Sequence, residues 1–127
     1  MHLMQTKSHR SPFRVLTSTD SAQAAMMVLP PGRSTGEKQN EHPRAEQWLY
    51  VIAGGGRARV GRRSVKLKEG SLLLVEQNEA HQVENTGRTK PLVTLNFYVP
   101  PAYKRDGEVR LRAKGLANIL ADAVRGE

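Results

Sequence analysis

The feature that most constrains the fold is a short apolar run, Trp-Leu-Tyr-Val-Ile at residues 48–52, which is followed after Ala53 by the glycines Gly54, Gly55 and Gly56. Aromatic and β-branched side chains fit the half-buried surface of a strand, and most of this run is of that kind. Glycine accepts positive φ angles that other residues avoid. The run therefore predicts a strand that ends at a sharp corner or bulge.

The same pattern of short strand and turn repeats along most of the chain. Further strands are predicted at residues 13–16, 23–29, 57–60, 64–67, 71–75, 81–84 and 92–99. Because residues 71–75 are almost wholly apolar, we expect that strand to be buried on both faces. Two prolines, Pro100 and Pro101, end the last strand. Many short strands with turns at this spacing indicate an all-β sandwich or barrel.

After the prolines the pattern becomes that of a short amphipathic α-helix. Its apolar face would consist of Leu116, Ile119, Leu120, Ala123 and Val124. Gly126 stands where a C-terminal cap belongs. We expect this helix to cover the barrel or an edge strand, or to pack against a partner subunit.

Length and composition fit one domain that spans residues 1–127, with 38% hydrophobic residues to form its core. We expect a barrel core over about 22–100, a polar N-terminal arm at 1–12 and a tail at 101–127. The chain has no cysteine, which excludes disulfides and thiolate metal ligands. It has no apolar run of membrane-spanning length and no signal-peptide apolar region, so we expect a cytoplasmic location and no membrane partner.

The formal net charge of +8 raises nucleic-acid binding as a function. The dense basic set consists of Arg57, Arg59, Arg62, Arg63, Lys66 and Lys68. Arg57 and Arg59 alternate with Ala58 and Val60, as on the solvent face of a strand. Few aromatic residues are interleaved, so a platform for stacking bases is absent. We interpret this stretch as a solvated basic hairpin and do not expect a nucleic-acid partner.

Two histidines stand out as candidate site residues. His2 and His9 lie in the polar arm, where an exposed histidine needs no functional explanation. His42 and His81 each lie where a loop meets a strand, on segments separated by other predicted strands. Such strands can converge on one interior in an antiparallel barrel. We therefore expect these two imidazoles to share a pocket.

Two motifs resemble those of the cupin family. The second cupin motif reads Gly-x5-Pro-x-Gly-x2-His-x3-Asn, and Gly70, His81 and Asn85 fall in register with it. Glu76 replaces its proline and Asn78 its second glycine. Asparagine tolerates the left-handed conformation better than most residues, so the departure at Asn78 is mild.

The first cupin motif reads Gly-x5-His-x-His-x(3,4)-Glu-x6-Gly, and Tyr-Val-Ile-Ala-Gly at 50–54 resembles the Tyr-Val-Leu-x-Gly that closes it. Counting back places Gln47 at the glutamate position, His42 at the second histidine and Asn40 at the first. The chain is thus similar to a small single-domain cupin. The resemblance implies a double-stranded β-helix (jelly-roll barrel) with a site in its interior.

The resemblance also implies a set of metal ligands. Metal-binding cupins use three histidines and a glutamate to hold iron, manganese, nickel or zinc. Carried over by position, this chain offers His42, Gln47 and His81, with Asn40 as a further candidate. Amide oxygens are weaker donors to a divalent ion than carboxylates, so we expect a metal to be bound weakly or not at all.

Glu46 is the alternative to its neighbour Gln47. A bulge before the strand would bring Glu46 inward, and His42, Glu46 and His81 would then form a two-histidine, one-carboxylate triad of the kind found in non-haem iron oxygenases. The period-two alternation that leads back from Tyr50 favours Gln47 inward instead.

Two functions fit this interpretation. The first is a metal-dependent enzyme of oxygenase or isomerase type, with apolar walls supplied by Leu49, Val51, Val83 and Phe97. The second is a non-catalytic module that binds a sugar or organic acid without a metal. The family resemblance further implies a homodimer. A small-molecule ligand is expected in either case.

Overall fold

The structure is a computed structural model that describes residues 1–6, 11–35 and 44–104. The described residues form eight strands, which confirms the all-β class. They are β1 (Phe13–Ser18), β2 (Gln23–Leu29), β3 (Glu46–Ala53), β4 (Gly56–Val60), β5 (Arg63–Leu67), β6 (Leu72–Val75), β7 (His81–Glu84) and β8 (Leu92–Val99). The helix predicted around residues 116–124 lies outside the described residues, as do Asn40 and His42.

The strands pair into two antiparallel sheets. One has five strands in the order β1-β2-β8-β3-β6, and the other has three in the order β5-β4-β7. The last strand, β8, pairs with both β2 and β3. Side chains that are far apart in sequence therefore become direct neighbours on the five-stranded sheet.

The core lies between the two sheets, because every second residue of the facing strands points inward. The main cluster of buried apolar residues consists of Met27, Leu29, Leu49, Val51, Ala58, Leu67, Val83 and Leu92. These residues come from both sheets. A second cluster at one end of the five-stranded sheet consists of Ala25, Ala45, Tyr98, Ala102 and Tyr103.

The outer face of the five-stranded sheet differs from the sequence prediction at β6. Val75 is buried, but Leu72 is 63% exposed and Leu74 is also exposed. The prediction that residues 71–75 are buried on both faces is wrong. The strand is the edge strand of its sheet, and no other element of the described residues covers its outer side chains. Its apolar sequence therefore reflects one buried and one exposed face.

The turns follow the predicted chemistry. Gly54, between β3 and β4, has a φ of 80°, which confirms a corner at the glycine triplet. Asn78, in the turn between β6 and β7, has a φ of 66° and is a non-glycine residue in the left-handed region. Asparagine can stand in place of the motif's glycine at this position because it adopts the left-handed conformation at modest cost. Among the described residues, no helix has the length and apolar character needed to cross a membrane.

Candidate functional site

The register of β3 decides which polar residue faces the interior. Gln47 is only 4% exposed, whereas Glu46 is half-buried and its Oε1 accepts a hydrogen bond of 3.0 Å from the Trp48 indole on the outer face. The irregularity in the pairing of β3 with β8 falls between Val51 and Ala53, at the far end of the strand. Within the described residues, β3 has no bulge near Glu46 that turns this side chain inward, and Gln47 occupies the interior position.

Gln47 is held by a neighbour on β8. Its Nε2 donates a hydrogen bond of 2.9 Å to Oδ1 of Asn96, which is fully buried. The Asn96 Nδ2 in turn donates to the Thr94 hydroxyl at 2.9 Å and approaches the carbonyl oxygens of Thr94 and Ala25. The result is a buried chain of polar side chains that runs from β8 to β3.

The backbone carbonyls set the orientation of this chain. Because a carbonyl oxygen can only accept a hydrogen bond, the end of Asn96 that meets Ala25 and Thr94 must be its Nδ2. The Asn96 Oδ1 then points to Gln47, which must present Nε2 to it. The atom that Gln47 could offer to a ligand or a metal ion is therefore Oε1.

His81 is oriented in a similar way on the three-stranded sheet. It begins β7 on the same strand face as the buried Val83, and its Nδ1 lies 3.1 Å from the Glu79 carbonyl oxygen. The carbonyl can only accept, so Nδ1 carries the hydrogen and Nε2 holds the lone pair in the neutral ring. Burial lowers the pKa of His81 below 6.5, although the hydrogen bond to Glu79 and the charge of its carboxylate act in the opposite direction.

A pH dependence of stability follows from the lowered pKa of His81. Because the folded state favours the neutral ring, the unfolded chain takes up the proton first as the pH falls below 6.5. The free energy of unfolding should therefore be highest above this pH and should decrease as the pH falls toward the folded pKa of His81. In urea titrations over this range, His81→Gln should lose part of this decrease. An unchanged pH profile in the variant would contradict the assignment.

The topology brings Gln47 and His81 to the same end of the barrel. Gln47 is opposite Val75 at the end of β6, and His81 follows Val75 after the short turn of residues 76–80. In that turn, the Gln77 side chain donates a hydrogen bond of 2.7 Å to the carbonyl oxygen of Arg44, just before β3. Strand pairing and this hydrogen bond thus both hold the turn before His81 close to the start of β3, where Gln47 lies.

The chain beyond β8 closes the same end. Gln23, which pairs with Tyr98, donates from Nε2 to the Tyr103 carbonyl oxygen at 2.7 Å and accepts from the Tyr103 and Ala102 N–H groups. The rings of Tyr98 and Tyr103 meet edge to face with centroids 4.9 Å apart. Burial raises the pKa of Tyr98 well above 10.0. The neutral phenol of Tyr98 lies directly across from Gln47 in the strand pairing.

The donor set limits which metal could be held here. Within the described residues, no group of three or more histidine, cysteine, aspartate or glutamate side chains could hold a metal ion. Gln47 Oε1 and His81 Nε2 are the atoms of these two side chains that could coordinate a metal, and the His81 Nδ1–H is held by a carbonyl in the way that supports a metal-bound imidazole. The predicted third donor is His42, with Asn40 as a further candidate, and both lie outside the described residues. The set of His42, Gln47 and His81 therefore stays a prediction.

The walls of the interior differ from the prediction in one residue. Leu49, Val51 and Val83 are buried as expected, but Phe97 is 41% exposed. Phe97 lies on the outer face because the inward residues of β8 are Leu92, Thr94, Asn96 and Tyr98.

Sequence reasoning did not identify Thr94 and Asn96, although a signal was present. Polar residues at alternate positions of an otherwise apolar strand mark one face as carrying a polar function. The alternation itself could not say whether that face pointed inward, because Leu95 and Phe97 are as apolar as an inner face would require. The pairing of β8 with two strands decided it.

Comparison with known protein families agrees with the fold and the motifs. The family model described as the cupin domain matches residues 25–98, which is more than half of the chain. This protein belongs to the cupin family.

Two solved structures share the fold over most of the chain. A Bacillus halodurans protein covers 88% of this chain and 86% of its own, with a TM-score of 0.72 and 26% identity. A Thermotoga maritima protein described as a predicted oxalate decarboxylase covers 70% and 79%, with a TM-score of 0.60 and 27% identity.

Two relatives match half of the chain or more. An oxalate-binding protein of Thermotoga maritima is 34% identical over 65 residues, which are 51% of this chain and 52% of that protein. The tetracenomycin polyketide synthase protein TcmJ of Streptomyces glaucescens is 32% identical over 77 residues, which are 61% and 49% of the two chains. The matched segments thus span about half the length of each of these two relatives.

Proposed function

We propose that the interior of this cupin binds a small organic acid through a weakly held divalent metal ion, with His42, Gln47 and His81 as the metal ligands. The observation that carries the proposal is the orientation of two acceptor atoms, Gln47 Oε1 and His81 Nε2. Both orientations follow from backbone carbonyls that can only accept hydrogen bonds.

Two lone pairs attract a cation and repel a bare carboxylate. The buried polar residues of the described chain are all neutral: Gln23, Gln47, Asn85, Thr94 and Asn96. An organic acid that enters this interior therefore needs a positive charge between itself and the acceptor atoms, and a metal ion supplies one. The names of the oxalate-binding protein and of the structure described as an oxalate decarboxylase support a small dicarboxylate as the ligand.

Exchanging the amide for a carboxylate tests the metal site. Gln47→Glu should raise the affinity for Mn²⁺ about tenfold or more, because a carboxylate is a stronger donor to a divalent ion than an amide. The matched control is Glu46→Gln on the outer face, which should leave metal affinity unchanged. Isothermal titration calorimetry with Mn²⁺ measures the binding of the metal, and a following titration with oxalate measures the binding of the organic acid.

Stability measurements complete this test. Without metal, Gln47→Glu should melt at a lower temperature than the natural sequence because it buries an unpaired charge, and Mn²⁺ should restore the lost stability. His81→Ala should abolish the increase in melting temperature on addition of Mn²⁺, both in the natural sequence and in the Gln47→Glu variant. If Gln47→Glu gains no affinity, or if Glu46→Gln changes affinity as much, the metal ligands are not those proposed.

A second candidate function is metal-free binding of a hydroxyl-rich ligand such as a sugar. The absence of any aspartate or glutamate among the buried polar residues of the described chain favours it. The two acceptor atoms would then receive hydroxyl hydrogens. Chelation with EDTA discriminates between the candidates: it should abolish binding of oxalate under the first and leave binding of a sugar unchanged under the second.

We also propose that the chain forms a homodimer through the outer face of its five-stranded sheet. The exposed apolar side chains of this face are Trp48, Tyr50, Leu72, Leu74, Phe97 and Val99. They are contiguous, since Trp48 is opposite both Leu74 and Phe97 in the strand pairing. A continuous apolar surface of this kind is stabilised when a second copy removes it from water.

Phe97→Glu should convert the dimer into a monomer, because the carboxylate would be desolvated at the centre of the interface. In light scattering, the natural sequence should have twice the 14.1 kDa mass of one chain and the variant the mass of one chain. Arg62→Glu, on the exposed turn between β4 and β5, is the control for a carboxylate added to another surface and should remain dimeric. A dimeric Phe97→Glu variant with native circular dichroism would exclude this interface.

A further inference from the structure

A cleft lies at the end of β3 and β7 that is opposite to Gln47 and His81. It has a volume of about 610 Å³ and is lined by the glycine corner at residues 54–56, by residues 64–69 along β5, and by the turn at residues 86–90. This volume is in the range of small-molecule sites. The cleft is therefore large enough for a ligand of metabolite size.

The lining is strongly cationic. Its charged side chains are Arg57, Lys66, Lys68, Arg88 and Lys90, against the single carboxylate of Glu69. Five cations and one carboxylate leave a surplus of four positive charges, half of the formal net charge of +8 of the whole chain. We call it the basic cleft. Arg88 and Lys90 join three residues of the dense basic set here, because three separate segments of the chain meet.

Most of these charges have no carboxylate partner among the residues that the structure describes. Within the described residues, the one ion pair of this region joins Arg57 Nη2 to Glu84 Oε1 at 2.7 Å. In the part of the chain that the structure describes, no carboxylate pairs with Lys66, Lys68, Arg88 or Lys90. Even with Glu84 counted, the positive surplus remains.

The arrangement of Arg57 and Lys66 also points to an anionic ligand. The two residues are directly opposite each other on β4 and β5, and like charges in that position destabilise a sheet. The ion pair to Glu84 holds Arg57 in place from the other side. An anion above the pair would relieve the repulsion and would meet one guanidinium that is already oriented.

The basic cleft is separate from the interior site. Gln47 and His81 lie at the beginning of β3 and β7, while residues 54–56 and 86–90 follow the ends of the same two strands. Gly54 is seven residue steps along extended chain from Gln47, a distance of roughly 23 Å. A ligand in the basic cleft would therefore not compete directly with one at Gln47.

We propose that the basic cleft binds a small ligand with two or more phosphate groups. Lysine and arginine are the side chains that recognise phosphate oxygens, and the Thr86 and Thr89 hydroxyls at the cleft can donate to the same oxygens. No aromatic side chain is among its described lining residues. Stacking of nucleobases is thus not supported, which favours a free polyphosphorylated compound over single-stranded nucleic acid.

Calorimetric titration of the full chain with inorganic tripolyphosphate tests this proposal. Binding should weaken as NaCl is raised, because the contacts are exposed and screened. Lys66→Gln and Arg88→Gln should each lower the affinity by about three- to tenfold. Arg44→Gln, before β3 at the other end of the barrel, removes the same charge and should change the affinity by less than about twofold.

Two further variants and probes separate the outcomes. His81→Ala should leave tripolyphosphate binding unchanged, so that failure of the interior site and failure of the basic cleft are distinguishable. An equal loss of affinity in Arg44→Gln would show that only net charge matters, and it would overturn the proposal. Absence of binding at low salt, or tighter binding of oligothymidylate than of tripolyphosphate, would also overturn it.

Discussion

Gly56→Ala is expected to destabilise the protein by more than about 4 kcal/mol, which would leave little of the stability of a domain of this size. A Cβ on Gly56 would overlap the backbone carbonyl oxygen of Glu84 on the paired strand β7. Backbone atoms of a hydrogen-bonded strand cannot move away as the end of a flexible side chain can. The strand β4, which is central in its sheet, would have to separate from β7.

A series of glycine substitutions separates steric overlap from backbone strain. Gly54 combines a φ of 80° with overlap of a Cβ on the Pro91 carbonyl oxygen, so Gly54→Ala should be at least as damaging as Gly56→Ala. Gly70 has a φ of 88° but open space around it, so Gly70→Ala should cost only about 1–2 kcal/mol.

The measurement is the free energy of unfolding from urea titration, with soluble yield and circular dichroism for variants that do not fold. The expected order of damage is Gly54 and Gly56 well above Gly70. A Gly56→Ala variant as stable as Gly70→Ala would mean that β4 and β7 do not approach each other as closely as described.

Asn85→Ala is expected to destabilise the fold by about 3 kcal/mol, because it removes three hydrogen bonds from a buried position. The Asn85 Nδ2 donates to the carbonyl oxygens of Leu29 and Lys90, both at 2.9 Å, and its Oδ1 accepts from the Gly87 N–H at 2.8 Å. These bonds connect the end of β2 to the turn after β7. The carbonyl oxygen of Leu29 would lose this bond in the interior of the protein.

Asn85→Asp should be no less damaging, since it keeps the bond to Gly87 but sets a negative charge against the two carbonyl oxygens. Asn78→Gly is the control: it changes the other asparagine of the same motif, is exposed and keeps a residue that accepts a positive φ. Its unfolding free energy should stay within about 0.5 kcal/mol of the natural sequence. A mild effect at Asn85 would show that water replaces its three bonds.

Asn85 also shows what a motif can and cannot reveal. The resemblance identified the position, but its role emerged only from its bonds to Leu29, Gly87 and Lys90. For the motif histidine His81, the sequence indicated a role as a candidate ligand, and the structure supplied its surroundings. Its place at the start of β7 was predictable from spacing, and its burial and hydrogen bond to Glu79 then showed which ring nitrogen carries the lone pair.

The candidate site could be predicted in part. The alternation that leads back from Tyr50 correctly placed Gln47 inside and Glu46 outside, because side chains in a strand alternate strictly between two faces. The same rule could not place Phe97, which lies outside, or identify Asn96 as the partner of Gln47. For β8 both faces carry apolar residues, so the sequence contains no local indication of which face is inner.

The apolar run at residues 48–52 and the glycines after it were sufficient to predict a strand and a corner. The resemblance to cupin motifs implied the position of His81, and the alternation along the strand predicted the inward Gln47. These features depend on local geometry, on the period of two in a strand and on the φ angles that glycine accepts. Such geometry depends on residues that are neighbours in the chain, so the sequence alone determined it.

The tertiary structure alone decided which distant residues meet. The insertion of β8 between β2 and β3 brought Asn96 to Gln47, and the meeting of three segments gathered Arg57, Lys66 and Arg88 into one cleft. Pairing between strands that are far apart in the chain is selected by packing and hydrogen bonding over the whole fold. No local pattern carries that information, which is why the opening strand at residues 48–52 was predictable and its neighbours were not.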